Sequence, residues 1–176
     1  AMYNEYFGGS MNSIVFQEMR EKRSLAYQAS SRYIMGSNKT DKNYNLAHIA
    51  TQNDKVVEAF DAFNSLLDYM PVAENNFDLA KQSILKSIAT NRTTKQAIIS
   101  SYLTDKEYGR KENTQKKMYE QLQKMTFEDI KAFSEQNLKG QKRVYVILGS
   151  KDQINFDEVK KFGDIEELTL EEIFGY

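Results

Sequence analysis

At 176 residues the chain is the size of one domain, large enough to bury about 70% of its unfolded surface. Its 24 Lys+Arg stand against 25 Asp+Glu, so nothing electrostatic points to nucleic acid, and no apolar run approaches the ~20 residues of a membrane helix. With no cysteine there are no disulfides and no thiolate chemistry.

The N-terminus "AMYNEYF" has no basic region followed by an apolar one, so no cleavable leader is expected, and the chain starts as if inside a helix. In "GGSMNSIVFQEMREK" the opening Gly8, Gly9 and Ser10 predict a helix start with Ser10 as N-cap. Met11, Ile14, Val15 and Met19 then fall on one side at helical spacing. Lys22 and Arg23 suit the negative end of the helix dipole. "LAYQASSRYIMG" and "YNLAHIATQ" read as two strands of an antiparallel hairpin, joined by the polar loop "SNKTDKN". The chain's one histidine, His48, lies in the second and alternates with its neighbours as a structural strand residue does. A catalytic zinc typically takes three ligands from His, Cys and carboxylates, and a Ser-His-Asp triad needs a histidine of its own. Whatever chemistry this protein takes part in, it is not expected to perform it alone.

The period then changes to helical. Val56, Phe60, Phe63 and Leu67 form one stripe that ends before Pro71, the only proline. A long helical stretch from Asn75 to about Tyr108 carries Phe77, Ala80, Ile84 and Ile88 on one side and is expected to break near "TNRTTK". The basic stretch "GRKENTQKK" is diluted by Glu112 and polar residues and reads as a solvated face. "QKKMYEQLQKM" and "TFEDIKAFSEQNL" are two further helices, the second with Thr126 and Asp129 at capping-box spacing and Gly140 as its stop. "RVYVILGS" is a continuous apolar run, expected as a strand covered on both faces or nearly so. The tail "FGDIEELTLEEIFGY" mixes charge with Leu168, Leu170, Ile173 and Phe174 and is expected to dock. The order is helix, two strands, several helices, late strand. It predicts an α+β fold, a two-layer sandwich of a mainly antiparallel sheet packed against several helices, as a single domain over residues 1–176.

At "NEYFGGSMNSIVFQEMREKRSLAY" the sequence resembles the pitrilysin/insulinase family of zinc metallopeptidases, the inverzincins, and within it a non-catalytic C-terminal domain. Gly8, Gly9, Ser13, Phe16, Arg20, Glu21, Lys22, Leu25, Ala26 and Tyr27 carry the likeness. The resemblance implies the domain type of mitochondrial processing peptidase and insulinase, here without its opening strands. It implies a parent enzyme whose catalytic domain holds zinc through His-x-x-Glu-His, while this chain supplies no catalytic residue, metal ligand or cofactor. The implied partners are the other domains of that peptidase and a peptide or protein substrate. Arg20 and Tyr27, seven residues apart, match a substrate-contacting pair of the family. A guanidinium offers fixed donors to a peptide carbonyl, and a tyrosine hydroxyl can donate to the oxyanion that forms on it. Where the family has glycine after "REKR", this chain has Ser24, at a position suited to a left-handed helix cap. With the opening strands missing, an unpaired sheet edge and self-association through it are expected. The alternative is a non-catalytic structural or binding subunit of the same fold.

Overall fold

The computed structural model describes residues 1–38, 40–92, 94–110 and 114–176. Parts of the "SNKTDKN" loop, of "TNRTTK" and of the basic stretch with Glu112 therefore lie outside the described residues.

Two layers meet at one aromatic core. Helix α1 (Met2–Phe7) sits at its centre: Tyr6 and Phe7 are fully buried, and Tyr3 stacks on Phe7 with ring centroids 5.1 Å apart. The next helix starts later than its glycines suggest. Ser13, not Ser10, is the N-cap of α2 (Ile14–Phe16), accepting the Phe16 N–H on its Oγ at 3.4 Å. Gly8 serves another purpose. A Cβ there would lie 2.3 Å from the Ser31 carbonyl oxygen, so glycine is what lets α1 end against the sheet. Beyond α2 the backbone widens into π-type turns over Gln17–Lys22. Ile14, Val15 and Met19 are buried, whereas Met11, ahead of the helix start, is exposed.

Strands β1 (Gln28–Ile34) and β2 (Tyr44–Ala50) form the expected antiparallel hairpin, pairing Gln28 with Ala50 through to Ile34 with Tyr44. Ala29 and Ser31 face the core. His48, opposite Ser30, is an exposed strand residue. The far edge of β1 is covered by α1. The Ser31 N–H donates to the Gly8 carbonyl, and the Asn4 side chain both accepts from the Tyr33 N–H and donates to the Tyr33 carbonyl.

Helices α3 (Val56–Asp68), α4 (Glu74–Thr90) and α5 (Lys95–Glu107) follow the predicted stripe, the end before Pro71 and the break. α6 (Thr114–Lys124) precedes α7 (Phe127–Asn137), whose capping box between Thr126 and Asp129 is formed. Gly140, at φ +67°, follows the end of α7 and donates its N–H to Asp68.

Two expectations fail in the C-terminal third. "RVYVILGS" is extended but joins no ladder, so the sheet has two strands among the described residues rather than three. It is not covered on both faces either. Arg143, Tyr145 and Ile147 lean on α3, while Val144, Val146 and Leu148 are 93%, 88% and 102% exposed. A continuous apolar run cannot distinguish a strand covered on both faces from one whose second cover is absent. The tail does not dock: Leu168, Leu170, Ile173 and Phe174 are all more than half exposed around the short helix α9 (Leu170–Phe174). Its acidic residues compete with burial of its apolar ones, and among the described residues it is tied back only near its start, where Phe162 packs on Phe60 and Tyr145, and through the Lys151–Glu167 ion pair.

Candidate functional site: the Arg20–Tyr27 corner

The stretch from Arg20 to Tyr27 turns the π-type helix end into β1, and its backbone is tied at several points. The Ser24 N–H donates to the Arg20 carbonyl at 3.1 Å, and the Leu25 N–H reaches back to the Met19 carbonyl at 2.9 Å. This is a Schellman-like closure, widened by the π turns before it. Ser24 holds the left-handed conformation at φ 50°, the one non-glycine residue with positive φ among those described. The departure from glycine therefore leaves the turn's shape intact and adds backbone strain to it. Leu25 and Ala26 then plunge into the core, the Thr51 hydroxyl donates to the Leu25 carbonyl at 2.6 Å, and the Tyr27 N–H donates to the Ala50 carbonyl at 2.9 Å.

The result brings the two predicted site residues together. The Arg20 guanidinium lies 5.5 Å from the centroid of the Tyr27 ring and 5.0 Å from that of Phe16. Its Nε is 3.6 Å from a Glu21 carboxylate oxygen. Tyr27 is 82% exposed, so its hydroxyl end stands in solvent with the guanidinium beside it. Phe16, one of the residues of the family likeness, has a half-buried ring that forms the shelf on which Arg20 rests. The signal was present: Phe16 and Arg20 are four apart, the spacing that makes neighbours on a helix. Lys22 and Arg23 turn elsewhere, onto Glu18 at 2.5 and 4.0 Å. Chemically, the corner presents a stacked, oriented cation and a phenol next to one another, able to grip a carbonyl-rich chain.

No group of three or more His, Cys, Asp or Glu suited to a metal occurs among the described residues. No described helix is long and apolar enough to cross a membrane. A cleft of about 190 Å³ opens between the end of α3 and α7, lined by Asp68, Tyr69, Met70, Lys131, Ser134, Glu135 and Lys139. None of its lining residues belongs to the Arg20–Tyr27 stretch.

The family model that matches is described as the peptidase M16 inactive domain, and it covers residues 1–84. Over those residues, just under half of its length, the chain is similar to the M16 inactive-domain family. The likeness read at "FGGSMNSIVFQEMREKRSLAY" is thus borne out, and the matched span runs from α1 into α4. Two solved structures share the fold. A conserved protein from Enterococcus faecalis V583 aligns with TM-score 0.64 at 16% identity, over 78% of this chain and 32% of that one. A peptidase M16 inactive domain from Pseudomonas fluorescens aligns with TM-score 0.61 at 20% identity, again over 78% and 32%. This chain therefore spans about a third of the length of the solved structures it resembles. Among curated proteins, none matches.

Proposed function

We propose that the chain is a catalytically incomplete domain of a zinc metalloendopeptidase, forming part of a chamber wall and contributing peptide-substrate contacts through Arg20 and Tyr27. The zinc would belong to the catalytic domain of the parent protein, and the other domains of that parent and a peptide or protein would be its partners. The observation that carries the reading is the stacked Arg20 at a pinned, exposed corner beside Tyr27. Stacking on Phe16 fixes the guanidinium plane before substrate arrives, so less ordering remains to be done on binding. The contact to Glu21 uses Nε, which leaves the terminal N–H donors of a permanently charged group for a substrate carbonyl.

The test is steady-state kinetics of peptide cleavage by the complete parent enzyme. Tyr27→Phe removes a donor that strengthens as the oxyanion forms and is expected to cost ~2.7–4 kcal/mol, roughly a hundred- to a thousandfold in kcat. Arg20 would hold ground and transition state alike, so Arg20→Ala is expected to raise KM. Arg23→Ala, whose side chain lies toward Glu18, is expected to be nearly silent. The reading fails if Tyr27→Phe keeps wild-type turnover.

A second reading, a structural or binding subunit of the same fold, is favoured by one fact. Arg20 already has partners within its own chain in Phe16 and Glu21, as a scaffold residue would. In that case Arg20→Ala lowers the melting temperature and leaves KM unchanged.

A further inference from the structure

We infer that the cleft between the end of α3 and α7 is a binding site for a free aromatic amino acid, with tyrosine as the best fit. Its volume is about 190 Å³. A cavity of about 150 Å³ takes one benzene ring, and sites for drug-sized ligands begin near about 300 Å³. The cleft therefore suits a single ring with short substituents. Met70 and Tyr69 form its apolar wall, a thioether and an aromatic side chain, both of which pack well on a ring.

The polar groups of the cleft select the ligand. Ser134 lines it and is only 3% exposed, yet its hydroxyl makes no hydrogen bond among the described residues. Nor is that oxygen sealed in, so it opens on the cleft and needs a partner there. A phenol supplies one at the tip of the ring, as donor or as acceptor. At the mouth stand charges of both signs. Lys139 forms no ion pair among the described residues, and its ammonium lies 5.2 Å from the Tyr69 ring centroid. Lys131 meets the exposed Glu128 at 3.6 Å. Glu135 is exposed and has no partner among the described residues, whereas Asp68 is already taken by Arg143 and the Gly140 N–H. One uncommitted carboxylate beside two lysines complements the ammonium and carboxylate of an α-amino acid. The cleft shares no residue with the Arg20–Tyr27 corner, and either reading can fail without the other.

The test is an NMR titration of the full chain labelled at its methionine methyl groups, with Met70 as the reporter. L-tyrosine should shift the Met70 signal saturably, and L-phenylalanine, lacking the hydroxyl, should bind about three- to tenfold more weakly. Ser134→Ala should bring tyrosine down to the affinity of phenylalanine and leave phenylalanine where it was. Glu135→Gln should weaken tyrosine but not hydroxyphenylpropionate, which has no ammonium. Lys139→Gln should weaken tyrosine but not tyramine, which has no carboxylate. Tyrosinamide and N-acetyltyrosine stand for a tyrosine at either end of a peptide, and each should bind less well than the free amino acid. A Met70 signal unmoved by tyrosine, leucine binding as tightly as tyrosine, or a preference for tyrosine that survives Ser134→Ala would each overturn the inference. So would either chain-end analogue matching tyrosine, since the occupant would then be a peptide terminus.

Discussion

Two tyrosines one helical turn apart in α1 show how far a single oxygen decides a residue's worth. Tyr6 gives its hydroxyl proton to the Pro71 carbonyl at 2.7 Å and accepts from the Ala73 N–H at 3.1 Å. Burial pushes its phenol up to about 12, with the Ala73 bond pulling the other way. Tyr3 is as deeply packed, but its hydroxyl has no partner among the described residues, and burial drives its phenol far above the usual range. A buried polar group without a partner carries its desolvation cost uncompensated. Tyr3→Phe is therefore expected to stabilise the fold by about 1 kcal/mol, whereas Tyr6→Phe, which orphans two backbone groups, should cost about 1–3 kcal/mol. Thermal melts of the two variants should move in opposite directions, by roughly 2–4 °C per kcal/mol for a chain of this size. Ser24 offers a third such test. Glycine at φ 50° releases the left-handed penalty of about 1–2 kcal/mol, part of which the more flexible unfolded chain takes back. Ser24→Gly is thus expected to raise the melting temperature by a few degrees. Under the proposed function, peptide cleavage by a complete parent peptidase should not change, because the turn already has the glycine shape.

At the scale of elements, Asp68 joins three of them. It ends α3, accepts from the Gly140 N–H just past α7, and pairs with Arg143 at the head of the extended segment. Burial pushes its carboxyl up, but the Arg143 and Gly140 hydrogen bonds, together with the charges of Arg143 and Lys139, outweigh it and hold the group below its ordinary 3.8. The folded state therefore favours the carboxylate, and as pH falls the unfolded chain takes up its proton first. This stability is present in full above about pH 4 and is lost as pH drops through the lowered value. Melts of the wild type and Asp68→Asn should differ most near neutrality and converge toward pH 2. A gap that persists at pH 2 would show the pair to be unimportant. The elements were largely legible in the sequence because their signals are local: the Thr126–Asp129 box, the polar break before Lys95, the alternation in β1 and β2. The Arg20–Tyr27 pairing was legible as a family spacing, but the Phe16 shelf needed the helix phase. The start at Ser13 was missed because Gly8 is required by a distant contact with Ser31, which no local window contains. Gly8→Ala is the matching test: a Cβ 2.3 Å from backbone oxygen cannot be absorbed by a rotamer, so a loss of at least about 1–3 kcal/mol is expected. The segment 143–149 and the tail were misread for one shared reason, that apolar composition reports a preference for cover and not its presence.

Across the whole molecule the apolar surface is unevenly shared. The aromatic core around α1 is closed, while Ile98, Ile99, Tyr102 and Leu103 on α5, the outward side of 143–149 and the tail all remain in solvent. Patches of this kind normally mark surfaces that meet another protein, in keeping with a chain that spans about a third of its structural neighbours. Against that background, the covering of β1 by Asn4 and Gly8 has a colloidal consequence. Open sheets invite endless stacking of chain upon chain, because every newly added strand offers a fresh template on its far side. Here one flank of the hairpin is already spent on a helix, so growth from that side has nowhere to go. In concentrated solution this protein should stall at small, countable assemblies instead of threading into fibrils. Asn4→Ala, by removing that stopper, should be the variant that turns cloudy and binds amyloid dyes first.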